Sequence, residues 1–244
     1  MIPFEINPWI WLLISTHLTT LCLSVWLHRS LTHRALTLNP VLEHIMRFWL
    51  WAFTATDVRV WVVIHRYHHS RSDQPEDPHS PHNEGLWNML VNGIVPSCVR
   101  TLKSKPELFA QLSSGVPNDW MQRNVYDRFP RLGFCCVLLL DTVLCGVWGV
   151  WVWIGHMIWG AAAERGFAVL SHQWGYRNYN LSDRSTNWSP WGIFILGEEL
   201  HNNHHERASS ARFSRRWWEI DPSWWFIQLA VWLKLARLRN QHHE

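Results

Sequence analysis

The sequence predicts an all-α integral membrane protein: about three transmembrane helices, further helices in the membrane interface, and a cytoplasmic cap built from histidine-rich segments. Three observations predict it. Trp9 to Leu27 is a run of 19 residues without Asp, Glu, Lys or Arg, about 28 Å as a helix and enough to cross a bilayer core. Leu132 to Ala163 is a run of 32 residues with Asp141 as its only charge, too long for one ordinary span. Eight histidines gather in three tight groups near apolar runs: "HRSLTH" (His28, His33), "HRYHH" (His65, His68, His69) and "HNNHH" (His201, His204, His205).

At 244 residues the chain fits one domain, 1–244, with enough length for a substantial core. The mean hydropathy of −0.14 alone suggests a soluble protein. That average misleads, because hydropathy scales penalise the 20 Trp and 16 His. A formal charge of +3 is too small to suggest a nucleic-acid partner. The five cysteines form no CxxC pattern, and Cys22, Cys135, Cys136 and Cys145 lie in apolar runs, as buried free thiols do.

The elements follow in order. The first run, 9–27, lacks the basic flank and small-residue cleavage site of a signal peptide, so it reads as a span. Arg29, Arg34 and Arg47 follow it, and Arg207, Arg212, Arg215 and Arg216 follow the last histidine group; the positive-inside rule puts both regions in the cytoplasm. Phe48 to Ile64 is apolar but contains Asp57 and Arg59. If it crossed, His65 would emerge opposite His33, so it reads as an interfacial or re-entrant helix. "DQPEDPHSPHNEG", 73–85, reads as a Pro-rich turn, and Ser104 to Asp119 as a polar connector. The long apolar run divides at Gly155 into spans 132–154 and 155–172, out and back. Trp217 to Leu238 mixes Trp with Lys and Arg like an interfacial helix. The histidine-bearing regions 28–130 and 173–244 then both face the cytoplasm.

Spacing carries the chemistry. In H-x-x-H-H the histidines stand at i, i+3 and i+4, one face of a helix. Neutral imidazole is the commonest protein metal ligand and suits Fe, Zn, Cu and Ni. One tetrahedral zinc takes four ligands at most, so eight or nine suit two metals with a position open on each. His17, His44 and His156 stand alone and read as ordinary satisfied histidines.

"HRSLTHR", "HRYHH" and "GEELHNNHH", in this order between apolar runs, resemble the integral-membrane fatty acyl desaturases of the stearoyl-CoA desaturase type. "EDPHSP", "WGYRN" and "STNWSPWG" extend the resemblance from about Trp9 to Leu238. It implies two iron ions (Fe2+) held on the cytoplasmic side by His28, His33, His65, His68, His69, His172, His201, His204 and His205. The implied reaction removes two hydrogens from an acyl chain carried as a thioester. It uses O2 and two electrons from a separate ferredoxin, rubredoxin or cytochrome b5-type donor with its reductase. Trp61 matches a tryptophan of the family's substrate tunnel. Glu198 and Glu199, just before the third group, are placed to accept hydrogen bonds from ligating imidazoles.

The chain also departs from that family. Where relatives carry Asn, four residues before His172, it has Ala168, and a turn earlier come Glu164 and Arg165. Glu164, Ala168 and His172 share a helix face directed at the metals and the tunnel. Glu164 is either satisfied by neighbours such as Arg165 or meets a polar group partway along the substrate. Other readings of three histidine groups are a membrane hydroxylase or acetylenase acting on a shorter or functionalised chain, a membrane metal transporter, or a haem protein.

Overall fold

The computed structural model describes residues 6–77, 79–92, 99, 102, 104–163 and 167–239. They are mostly helical. Helix α1, Pro8–Cys22, starts where Asn7 Oδ1 accepts the Trp9 and Ile10 N–H groups, with Pro8 in the first turn. Without a break it passes into a wider π-helical winding, Leu23–Thr32, a form concentrated at functional sites. The whole stretch of 25 residues is long and apolar enough to cross a membrane.

Strand β1, Leu36–Leu38, leads to α2, Pro40–Thr54, which is capped by Asn39. Helix α2 runs back along α1: Trp49 Nε1 donates to Thr19 Oγ1 at 2.9 Å, and Phe53 meets Trp11 edge-on. It ends at Ala55 in the left-handed region (φ 54°), and Asp57 caps α3, Val58–Arg71. The predicted single helix over 48–64 is therefore two. One leads away from His33 and the other leads back, which brings His65 beside His33. Short helices α4 (Pro81–Glu84), α5 (Leu86–Asn92) and α6 (Pro106–Leu112) follow. Thus the predicted polar connector over 104–119 contains a helix, seated on α3 through Phe109 and Leu112.

The second long apolar stretch, Leu132–Ala161, also has membrane-spanning length and hydropathy. It folds into a hairpin of α7 (Leu132–Cys145) and α8 (Gly149–Ala161) around a turn at Gly146–Trp148. The predicted spans 132–154 and 155–172, dividing at Gly155, are corrected by this geometry. Gly146 supplies the positive φ of the turn (58°), and a Cβ on Gly149 would lie 2.4 Å from the Asp141 backbone. Gly155 lies inside α8 and faces the Leu12 side chain. Each arm is about 20 Å long, short of a bilayer core of about 30 Å. Among the described residues, two stretches are long and apolar enough to cross a membrane, where three crossings were predicted.

Helix α8 runs parallel to α1, with Trp148 beside Trp9 and Trp159 Nε1 donating to Thr20 Oγ1. Asp141, fully buried in the hairpin, accepts from Trp11 Nε1 at 2.7 Å and lies 3.3 Å from His156 Nδ1. His156 Nε2 meets Ser15 Oγ at 2.7 Å, while its buried Nδ1, facing Asp141, makes no hydrogen bond within the protein. Outward faces are apolar: Ile10 and Leu13 on α1, Ile45 on α2, Leu139 on α7, Trp151 and Ile158 on α8. A short helix α9, Phe167–Leu170, precedes His172, and α10, His201–Glu206, carries the third histidine group.

The stretch 217–238, predicted as one interfacial helix, is α11 (Pro222–Trp232) plus strand β2 (Ala236–Leu238). Pro222 and the Asp221 cap start the helix, and β2 pairs antiparallel with β1, Leu36 opposite Leu238. The chain's last described segment is thereby tied to the first histidine group. Beneath that group a core of Val25, Trp26, Leu27, Leu50, Val62 and Ile227 is closed to solvent.

Candidate metal centre

Nine imidazoles converge at the end of α1 opposite the hairpin turn. They divide into five and four: His28, His33, His65, His69 and His204 in one group, His68, His172, His201 and His205 in the other. Within each group the ligand atoms all lie within 4.8 Å of one another. The division follows from helix geometry. Residues three and four apart lie about 60° and 40° to either side of the first, so adjacent histidines diverge by about 100°. On α3, His65 and His69 face one group and His68 the other; on α10, His204 faces the first, His201 and His205 the second. The single face expected for H-x-x-H-H is in fact shared between two centres.

In the first group five Nε2 atoms point at one another: His28 to His65 at 2.9 Å and to His204 at 3.0 Å, His65 to His33 and His69 at 3.0 Å, His69 to His204 at 2.9 Å. A neutral imidazole has one N–H, so these contacts cannot all be hydrogen bonds. In the second group His172 and His201 Nε2 are 3.0 Å apart. Carboxylates hold the outer nitrogens. Glu198 accepts from His28 Nδ1, Asp77 from His68 Nδ1 at 2.8 Å, Asp73 from His172 Nδ1 at 2.8 Å, and Asp183 from His205 Nδ1 at 3.0 Å. With its proton on Nδ1, each ring turns the Nε2 lone pair inward. His68 Nε2 and His205 Nε2 are buried and have no hydrogen-bond partner in the protein. The residues present fit two cations.

The electrostatics agree with that fit. Burial, reinforced by neighbouring imidazoles, holds His65, His69, His201, His204 and His205 well below the ordinary histidine range, so all are neutral at pH 7. Burial alone would raise Asp73, but hydrogen bonds from His172, Ser80 and the Arg184 N–H outweigh it and hold the carboxyl below its usual range. Asp77 is held down in the same way by His68 and the N–H groups of Asp73 and His79.

Glu198 also accepts from Ser24 Oγ, and the buried Arg29 guanidinium reaches it at 3.4 Å. Arg29 in turn pairs with Asp221 at 3.0 Å and stacks over Phe213, whose ring lies 4.5 Å from that of His204. Glu199 does not join this set. Its carboxylate turns into its own loop and accepts the N–H groups of Phe194, Ile195 and Gly197. Trp61 stacks on His65 (4.9 Å, 10°) and stands edge-on to His28. Ala168 lies on α9 in the turn before His172, and Glu164 lies outside the described residues.

Sequence reasoning missed Asp73, Asp77, Asp183, Arg29 and Phe213. Two of the carboxylates had a signal: Asp73 and Asp77 follow His69 by four and eight residues, inside a turn read for its prolines and for the family's "EDPHSP" but not for hydrogen-bond acceptors. Asp183 and Phe213 meet the site only through long-range folding.

The fatty acid desaturase family profile matches residues 6–228. An acyl-CoA C20 Delta5-desaturase of Anemone leveillei is 35% identical over 219 residues, covering 86% of this chain and 66% of its own length. A Delta-9 acyl-lipid desaturase of Arabidopsis thaliana is 33% identical over 222 residues, covering 88% and 68%. An sn-1 stearoyl-lipid 9-desaturase of Anabaena variabilis is 32% identical over 216 residues, covering 86% and 75%. The chain spans about two thirds of the length of the first of these.

Proposed function

The chain belongs to the fatty acid desaturase family, and on that premise we propose that it is a di-iron, O2-dependent desaturase of a carrier-bound fatty acyl chain. The observation that carries this reading is the five-and-four grouping of nine imidazoles, four of which have a carboxylate on the outer nitrogen. All-imidazole sites suit iron among other metals, and the family selects iron among them. The balance is that two adjacent CH2 groups lose one hydrogen each, and O2 takes these with two electrons and two protons to leave two waters. Two bound irons would supply the oxidising power for those C–H bonds.

The chain's own residues do the rest. Glu198, Asp73, Asp77 and Asp183 fix four rings with Nε2 inward. Arg29 and Ser24 keep Glu198 anionic and still. Trp61, Phe213 and the closed core beneath the first group keep water from that side. The carrier linkage is a thioester, as the resemblance implies, or a lipid ester; the relatives' names include both acyl-CoA and acyl-lipid desaturases. Electrons come from a separate ferredoxin, rubredoxin or cytochrome b5-type protein. The protein sits in the membrane as a multi-pass chain with its histidines in the cytoplasm, a reading supported by the basic residues flanking the histidine groups and the apolar outward faces.

The test is expression in a desaturase-deficient host, with iron analysis of the purified chain and mass spectrometry of its fatty acids. About two irons per chain and an alkene 2 Da lighter than its saturated parent are expected. An alcohol 16 Da heavier would favour hydroxylation, and a chain that binds no iron would end the reading.

A further inference from the structure

The two groups of imidazoles differ in the charge that stands behind their rings. In the four-histidine group three of the four outer nitrogens meet a carboxylate. His68 Nδ1 donates to Asp77 and His172 Nδ1 to Asp73, both at 2.8 Å, and His205 Nδ1 donates to Asp183 at 3.0 Å. In the five-histidine group, among the described residues, His28 alone has such a partner, Glu198. Each of the three aspartates is held on both oxygens. While Oδ2 serves the ring, Asp77 Oδ1 accepts the His79 N–H, Asp73 Oδ1 the Ser80 hydroxyl, and Asp183 Oδ1 the Ser185 N–H and hydroxyl. The Asp73 and Asp77 side chains are closed to solvent and that of Asp183 largely so.

Counter-charge widens the difference. Among the described residues none of the three aspartates pairs with an Arg or Lys. Arg184 gives Asp73 only its backbone N–H and sends its guanidinium to His82, and Arg177 reaches Asp183 only at the backbone carbonyl. Glu198, by contrast, has the fully buried Arg29 guanidinium at 3.4 Å, which it shares with Asp221. A carboxylate behind an imidazole raises the basicity of the ring, and in a site shut off from water its charge acts on a bound cation with little screening. The five-histidine group has one ring more. That ring takes a place otherwise held by water, one neutral donor for another, whereas two further carboxylates add two full charges.

We propose that the two sites are unequal: the four-histidine site takes up the first metal ion and holds it more tightly, because Asp73, Asp77 and Asp183 stand behind its rings, and the five-histidine site fills second. The inference rests on the di-iron reading for the choice of iron as the ion, but its test measures binding and needs no turnover. Asp73, Asp77 and Asp183 are positioning residues that act through His172, His68 and His205, and their charge sets the order of filling.

The experiment is an anaerobic titration of the metal-free full chain in micelles with Fe2+ enriched in the Mössbauer-active isotope, sampled from below one equivalent to two. One quadrupole doublet should grow to about one equivalent before a second appears, a separation of at least about ten-fold in affinity. His201→Ala takes a ligand from the four-histidine group and should abolish the leading doublet; His33→Ala should abolish the second. Asp77→Asn and Asp183→Asn keep an acceptor for the ring but remove the charge. Each should weaken the four-histidine site about 10- to 100-fold, so that its doublet no longer leads. The five-histidine doublet should stay intact in both, which also shows that the variants fold. Glu198→Gln should weaken the five-histidine site alone. Two doublets growing in parallel, a leading doublet that vanishes in His33→Ala, or Asp→Asn variants that fill in the native order with native affinity would overturn the inference. A chain that fills in this order yet makes no alkene would end the desaturase reading and leave the unequal sites standing; one that takes up no iron would end both.

Discussion

His68 and His69 are neighbours in sequence, yet a helix turns about 100° between them and delivers them to different groups. His68→Ala and His69→Ala should therefore each remove one site, lowering iron from about two to about one per chain. Metal analysis of the two variants with Mössbauer spectra should show that different irons are lost; identical residual spectra would contradict the grouping. Glu198 and Glu199 are a second adjacent pair with separate tasks. Glu198→Gln takes the charge from His28 and Arg29, and metal affinity should fall about 10- to 100-fold. Glu199→Gln should leave metal affinity unchanged. Its amide would set a donor against N–H groups that need an acceptor, lowering thermal stability by about 1–3 kcal/mol. A Glu199→Gln variant that lost iron while keeping its melting temperature would reverse these assignments.

At the scale of elements, the hairpin is held by backbone contact and by one buried polar group. The α-carbon hydrogen of Gly149 faces the Asp141 backbone, where an added Cβ would sit 2.4 Å away, so Gly149→Val must push α7 and α8 apart. A loss of several kcal/mol, about the cost of overpacking a core, is expected in detergent unfolding. At Gly155 the near neighbour is the movable end of the Leu12 side chain, 2.8 Å from an added Cβ. Gly155→Ala should change stability by less than about 1 kcal/mol, its gain in helix propensity offsetting the shift of Leu12. Equal effects at the two glycines would mean that the turn at Gly146–Trp148 is misplaced. The α2–α3 break has a comparable local cause. Asp57 in mid-helix would put a charge into an apolar face; as a cap it takes the Val60 N–H and starts a new helix.

For the molecule as a whole, acid should undo the cap in two stages. The buried histidines have folded-state values below their unfolded ones, so below about pH 6.5 the unfolded chain binds more protons. Their contribution is full above that pH and declines as pH falls. Asp73 and Asp77 are also held low, so the stability they add is present above about pH 4 and is lost as pH drops towards their folded values. The metal-free melting temperature should be flat from pH 8 to 7, fall below about 6.5, and fall further below about 4. Loading with iron should steepen the first decline, because ligation requires neutral imidazoles. A melting temperature that rises from pH 7 to 5 would contradict the burial of these rings. Orientation is open to direct measurement. Cysteines introduced at Arg71 and Arg207 should both label from the cytoplasmic side. Labelling of Arg71 and Arg207 from opposite sides would be incompatible with one shared centre.

Local regularities were legible in the sequence. The uncharged run after Pro8 marked α1, the repeated H-x-x-H-H words marked two of the four ligand segments, and the requirement that His33 and His65 meet argued against 48–64 as a crossing. Hydrophobicity and short-range spacing decide such features, and both are written along the chain. Where the long apolar run turns is set by backbone contact between α7 and α8, so Gly146 and Gly149 carry the hairpin and Gly155 does not. Which centre each imidazole serves depends on the angle at which α3 and α10 approach the end of α1. Which carboxylate holds which ring depends on loops that place Asp183 beside His205, and on a turn that points Glu199 away from the site its neighbour Glu198 enters. Single residues supplied the chemistry, but angles between elements distant in sequence assigned each one its partner, and those angles come from packing the whole chain together.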